Sequence, residues 1–288
     1  MNNRIASKPF SGMSIDLWGR DDPVILVELH DSGRSADLWI GVLNAEEVAV
    51  KIYRPTFDDG GLFDESVARE HEVECDDPRI VSALFRGVIN YPGSRWSHVL
   101  VMPLIDAECL RDVIKSGALD SGSKIAISNE IVKSLASFHE CGMIHGDLNP
   151  ANILAPEGGS KAYLIDFEFC LPIDMDRSDI DYSRERGTPG YIAPEIEQFG
   201  IRACSTSSDV WALGWVLAET LNNDGLPEDR DWRKHREKYG SKASMLNNWS
   251  SGYGGDIDDS VRRCVVIDRR HRIKMSEMVG SFESHVSQ

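Results

Sequence analysis

The first third of the chain alternates apolar and polar positions with a period near two, the spacing of a strand with one buried face. Such runs predict strands over residues 24–29 (V-I-L-V-E-L), 38–43 and 47–53 (E-V-A-V-K-I-Y). In the third run, Val48, Val50 and Ile52 share one face, and Ala49, Lys51 and Tyr53 share the other. Residues 79–90 and 98–104 predict two further strands, and the charged run 64–74 predicts a helix. Past Asp106 the period lengthens to that of helices, over residues 109–115, 123–141, 210–221 and 275–285. In the second of these, Ile127, Ile131, Leu135 and Phe138 recur at helical spacing. The Gly-, Asn- and charge-rich stretch 222–259 supports no assignment. These elements predict a small β-rich part followed by a larger α-helical part.

The chain has 288 residues, 41% hydrophobic and 27% charged, enough to bury a full core without staples. Its 31 Lys and Arg against 47 Asp and Glu give a formal net charge of −16, which supplies no basic footprint for nucleic acid or anionic lipid. An acidic surface suits a basic or neutral protein partner. Two basic clusters, residues 233–238 and 269–272, read as solvated helix faces. The six cysteines lack C-x-x-C spacing, which predicts reduced thiols in a cytosol-like compartment. Residues 1–22 lack the layout of a signal peptide, and the apolar run 210–221 is too short to span a bilayer. The expectation is a soluble, cytoplasmic protein.

Two constellations carry candidate chemistry. Lys51 lies inside an apolar strand, where an ammonium is costly to bury without an anion, and the run 64–74 supplies carboxylates. Downstream, I-H-G-D-L-N-P-A-N-I-L (residues 144–154) precedes Y-L-I-D-F (residues 163–167). Asp147 and Asn152 are five residues apart, and Asp166 follows Asp147 by 19. Two carboxylates and a carboxamide supply hard oxygen ligands of the kind Mg²⁺ prefers, with one Asp left to orient a hydroxyl.

With these residues in order, the chain resembles the eukaryotic-type protein kinase superfamily from about Leu29 to Met278. V-A-V-K (residues 48–51) resembles the family's third-strand lysine motif, H-G-D-L-N-P-A-N (145–152) its catalytic loop, and D-F-E (166–168) its metal-binding motif. G-T-P-G-Y-I-A-P-E (187–195) resembles the end of an activation segment, S-D-V-W-A-L-G (208–214) the following buried helix, and Arg272 the late arginine that pairs with Glu195.

The resemblance implies an α+β, bilobal fold: an extension over 1–22, a β-rich N-lobe over 23–104 and a mostly helical C-lobe over 105–288. It implies ATP and Mg²⁺, with Lys51 on the α- and β-phosphates, Glu70 holding Lys51, Asp147 orienting the attacking hydroxyl, and Asn152 and Asp166 on the metal. Ala49 and Leu38 would contact adenine, Met102 the gatekeeper position, and Pro103 and Leu104 the hinge. The glycine-rich loop keeps only Gly33, with Asp31 and Ala36 replacing its other glycines and Arg34 at its tip.

Other departures are Gly146 where an arginine is common, Asn149 for the usual lysine, and Glu168 for glycine. Gly146 predicts an enzyme that needs no activation-segment phosphorylation; Ser178, Tyr182 and Ser183 are candidate phosphosites in that segment. The expected function is a Ser/Thr protein kinase. The alternatives are a pseudokinase scaffold and a small-molecule kinase.

Overall fold

The computed structural model describes residues 9–33, 35–54, 70–91, 95–176, 187–222, 230–239 and 243–286. Arg34, the three candidate phosphosites and most of the expected helix 64–74 lie outside them. The chain divides into two compact units, Met1–Glu74 with Val81–Ile105, and Cys75–Ile80 with Asp106–Gln288.

The first unit is a six-stranded antiparallel sheet in the order β1-β2-β3-β4-β6-β5. Its strands are β1 (Ser14–Ile15), β2 (Val24–Ser32), β3 (Ala36–Leu43), β4 (Glu46–Tyr53), β5 (Phe85–Tyr91) and β6 (Arg95–Pro103). The alternation in β4 is realised as read: Val48, Val50 and Ile52 join Val24, Trp39, Val99 and Val101 in one apolar cluster. On the opposite face Ala36, Tyr53 and Leu100 form a smaller one. Asn44 and Ala45, at φ 52° and 67°, make the tight β3–β4 turn that matches strand twist. Two expectations need correction. The polar start hides β1, which pairs Ser14 with Ile25 and Ile15 with Val24. The strand expected over 79–90 begins only at Phe85, because the Asp77 carboxylate accepts from the Arg79 N–H (2.9 Å) and the Asp77 carbonyl from the Ile80 N–H (3.0 Å), making a turn.

The second unit is mostly helical. Its helices are α1 (Leu110–Ser116), α2 (Ser121–Glu140), α3 (Pro194–Phe199), α4 (Thr206–Leu221), α5 (Trp232–Tyr239), α6 (Gly255–Cys264) and α7 (Met275–Val286). Asp120 caps α2 by accepting the Ser123 N–H at 2.7 Å. Helix α4 is buried all round, including Trp211 and Trp215, as expected of an element enclosed by its unit. Gly214 allows that enclosure: a Cβ there would lie 2.5 Å from Cys264 Cβ on α6. Between α2 and α3, the short strands β8 (Met143–Ile144), β9 (Ile153–Ala155), β10 (Tyr163–Leu164) and β11 (Leu171–Pro172) hold the loops that carry the candidate motifs. β7 (Glu108–Cys109) completes a three-stranded sheet with β9 and β10.

The reading of all six cysteines as thiols is overturned. Cys75 and Cys141 form a disulfide across 66 residues of sequence. Helix α2 ends beside the segment 75–80, a proximity that cysteine spacing does not encode. Cys170, Cys204 and Cys264 are buried and Cys109 is half-buried, and these four take no part in the disulfide. The basic cluster 269–272 is not one solvated helix face either, since it turns in a 3-10 segment and Arg272 points inward.

Candidate functional site

In the first unit Asp31, Ala36, Leu38, Ala49, Lys51 and Met102 share one face of the sheet, whereas Pro103 pairs with Val48 on the other. Leu38 lies opposite Lys51, Ala49 opposite Met102, and Asp31 opposite Leu38, so their side chains are cross-strand neighbours. Gly33 donates its N–H to the Ala36 carbonyl at 2.9 Å, closing the β2–β3 hairpin, while Asp31 accepts the Ser32 N–H at 2.7 Å. Pro103 ends β6, and Leu104 follows it.

The cost of burying Lys51 is met by an anion. Its Nζ lies 2.9 and 3.1 Å from the two oxygens of Glu70, a residue only 2% exposed. Tyr53, two positions along the same face, donates its hydroxyl to Glu70 Oε2 and lays its ring 4.9 Å from Lys51 Nζ. The carboxylate is thus gripped from two sides. Sequence reading placed Tyr53 on the correct face but assigned it no role.

In the second unit the residues of the H-G-D-L-N-P-A-N segment form one polar network. Asp147 Oδ1 accepts the Thr188 N–H at 2.6 Å, and Asn152 Nδ2 donates to Asp147 Oδ2 at 3.2 Å and to its carbonyl at 2.9 Å. Burial raises the Asp147 carboxyl above the usual carboxylate range, opposed by hydrogen bonds from Thr188 and the positive potential of His145, and reinforced by the charge of Asp166. Asn149, 2% exposed, donates to the Asp147 carbonyl (3.0 Å) and to Thr188 Oγ1 (3.1 Å), while its Oδ1 caps Ala151.

The backbone of this loop is held from beneath by α4. Asp209 accepts the N–H groups of His145 (2.8 Å) and Gly146 (3.0 Å) and also meets His139 Nε2 at 2.9 Å. His139 and His145 therefore hydrogen-bond and pack: the His145 ring sits against Phe138 and Phe167. Gly146 has φ 77°, and a Cβ there would lie 2.4 Å from the Phe169 carbonyl oxygen, so only glycine lets the two segments approach this closely. Asp166 is itself left-handed, at φ 63°; strain of this kind in a non-glycine residue concentrates at functional sites.

The donor set suits a hard cation. Asn152 spends its Nδ2 on Asp147, leaving the carbonyl oxygen as an acceptor, and Asp166 adds a carboxylate. Among the described residues no group of three His, Cys, Asp or Glu could enclose a metal, and Mg²⁺ commonly takes one or two protein oxygens with the rest from water and phosphates. The later motifs are joined as expected: Arg272 makes a bidentate pair with Glu195 at 2.6 and 2.7 Å. Tyr191, next to the Thr188 turn, donates to Glu219, which also pairs with Arg230; burial raises its phenol.

Residues 33–281 match a family model described as protein kinase domain. The serine/threonine-protein kinase pkn2 of Myxococcus xanthus is 26% identical over 206 residues, covering 69% of this chain and 24% of that protein. A probable serine/threonine-protein kinase of Clostridium perfringens is 31% identical over 253 residues, 82% of this chain and 34% of its own length. The serine/threonine-protein kinase PknD of Mycobacterium tuberculosis is 31% identical over 186 residues, 64% of this chain and 26% of that protein. The chain thus spans about a quarter to a third of these curated relatives. Among the described residues no helix is long and apolar enough to cross a membrane.

Proposed function

Since the chain belongs to the protein kinase domain family, we propose that it transfers the γ-phosphate of ATP to a serine or threonine hydroxyl of a protein. The observation that carries this reading is the Asp147 carboxylate, half-buried and fixed between Thr188 and Asn152. A carboxylate so fixed can orient a hydroxyl and accept its proton, and a raised proton affinity makes it a better acceptor. Thr188 beside it suits a Ser/Thr-type substrate. Lys51, gripped by Glu70, supplies a positioned cation for the α- and β-phosphates. Leu38, Ala49 and Met102, with the backbone of Pro103 and Leu104, would receive adenine, and the hairpin of Asp31, Gly33 and Ala36 would cover the phosphates. Asn152 and Asp166 would hold Mg²⁺, which when bound neutralises charge on the transferring group.

Three finer features belong to the same reading. The net charge of −16 favours a basic or neutral substrate segment. Gly146 leaves the loop without the cation that docks a phosphorylated activation segment, so activity is independent of that modification. A soluble, cytosolic location is part of the proposal, and the Cys75–Cys141 bridge counts against its cytosolic part, because glutathione and thioredoxin would reduce the pair there.

A scaffold reading draws support from Asn149. Its amide is spent inside the network, so position 149 supplies no cation where the family's lysine meets the transferring phosphate.

Incubation with Mg²⁺, γ-labelled ATP and a generic basic protein, with sites read by mass spectrometry, separates the two. Label on Ser or Thr supports transfer. ATP binding without label supports the scaffold, and loss of label after phosphatase treatment of the enzyme removes the independence claim.

A further inference from the structure

In a chain of net charge −16, one region of the second unit is cationic. A 560 Å³ cavity bounded by α3, α5 and the 3-10 turn Arg269–His271 is lined by Arg202, Arg236, Arg269 and Arg270. Arg269 and Arg270 also line a neighbouring cavity of 750 Å³, to which Lys274 contributes. The turn explains the arrangement. Asp268 accepts the Arg270 N–H at 3.1 Å, which sends Arg269 and Arg270 outward while Arg272 enters the core.

The carboxylates that line the first cavity are already engaged. Glu195 is held by the buried Arg272, and Asp268 by Arg270 at 2.7 Å, which keeps its carboxyl far below the usual range. Phe199 stands at the rim, 66% exposed, and offers an apolar contact beside the guanidinium groups.

We propose that these two adjoining cavities form a docking surface for an acidic protein segment, one rich in Asp and Glu with an apolar residue to meet Phe199. Arg270 is committed to Asp268, and the other guanidinium groups, of Arg202, Arg236 and Arg269, come from three separate elements, with Arg269 continuing onto the second cavity. That spread suits several carboxylates along a segment rather than one compact anion. Arginine clusters recognise acidic motifs through forked, charge-assisted hydrogen bonds, and a few hundred cubic ångströms is the size of an ordinary binding site. At physiological ionic strength the screening length is about 8 Å, so the remote negative charge of the chain fades while arginines at contact distance act. The surface stands independently of the phosphotransfer reading, since its evidence shares nothing with the Asp147 network.

The test is fluorescence anisotropy at 150 mM salt with the whole chain and a labelled peptide of alternating Glu and Asp around one Phe. Its neutral Gln/Asn counterpart is the control. The expected result is saturable binding of the acidic peptide alone, weakened at least tenfold by Arg236→Glu with Arg269→Glu. Lys115→Glu, at an exposed position of α1 and outside both cavities, should leave it unchanged, with equal melting temperatures in all three proteins. If the double reversal does not fold, Arg236→Gln and Arg269→Gln are read instead, with a loss of threefold or more expected.

The proposal is overturned by absent or peptide-independent binding, or by affinity that ignores the arginines. It is equally overturned if a phosphoserine peptide or an RNA oligonucleotide uses these arginines while the carboxylate peptide does not. Sedimentation showing that the same arginines hold a second copy of the chain, without peptide binding, would also replace it.

Discussion

Replacing Arg272 with methionine removes a guanidinium whose N–H groups are fully engaged. Two bond the Glu195 oxygens at 2.6 and 2.7 Å, and others reach the carbonyls of Val266 (2.8 Å), Ser207 (2.8 Å) and Ile267 (3.3 Å). The group also lies 5.0 Å from the Trp211 ring centre. The side chains are 1% and 9% exposed, so the substitution leaves a buried carboxylate without a counterion. Breaking such a pair from one side costs about 3–5 kcal/mol. For a unit of this size that corresponds to a fall of roughly 12 °C in melting temperature. Glu195→Leu should cost a similar amount by orphaning the cation.

The double variant should cost less than the sum, with a coupling energy of about 2–3 kcal/mol. Full recovery is not expected, because three carbonyls still lose their donor. Urea and thermal denaturation of the four proteins read the cycle. A loss below about 1 kcal/mol for Arg272→Met, or simple additivity, would refute the claim that this pair ties the segment beginning at Pro194 to the core.

Reducing the Cys75–Cys141 bridge, or Cys141→Ser, should lower stability by about 4 kcal/mol, the loop-entropy value for a closure of this length; intact mass after alkylation of the unfolded protein in denaturant without reductant should find four reactive thiols, and six would disprove the bridge. Tyr53→Phe should cost about 1.5–3 kcal/mol in urea titration, because it strips a hydrogen bond from the buried, charged Glu70; a neutral outcome would mean that Lys51 alone holds the carboxylate. Asp147→Asn should abolish transfer yet raise stability at pH 7 by about 0.5–2 kcal/mol. Asp147 is raised in the folded state, so its contribution is complete below the ordinary carboxylate value and lost as pH rises through the raised one. The gain from asparagine should therefore shrink towards pH 4, and a gain that grows on acidification would contradict the raised value.

Much of this arrangement was legible because it repeats at short range. The alternation around Lys51 placed its side chain, and helical spacing placed Leu135 and Phe138 in the core. The motif order supplied the Lys51–Glu70 and Arg272–Glu195 pairs, although nineteen and seventy-seven residues separate their members. What escaped lacks periodicity or depends on tertiary approach. β1 is two residues long and sits in a polar stretch, so only its pairing with β2 defines it. The turn at Asp77–Ile80 is made by a side chain bonding nearby backbone, which interrupts a run that reads as extended. The disulfide depends on where α2 ends. The arginine turn reads as one basic run, and its separation into two outward arginines and one buried one comes from the Asp268 cap. Gly146 stood out as a missing cation; its closeness to Phe169 supplies a steric reason for glycine that no linear pattern holds.

The central claim is that Asp147 acts on the acceptor hydroxyl while the nucleotide is held by other residues. Its most direct test pairs ATP affinity with phosphoryl transfer to a serine peptide in the wild type, Asp147→Asn and Lys51→Met. Asp147→Asn should keep ATP affinity within about threefold while kcat falls by about 10³ or more, and Lys51→Met should weaken both ATP binding and transfer. Transfer that survives Asp147→Asn with kcat little changed would contradict the assignment, whatever the ATP affinity.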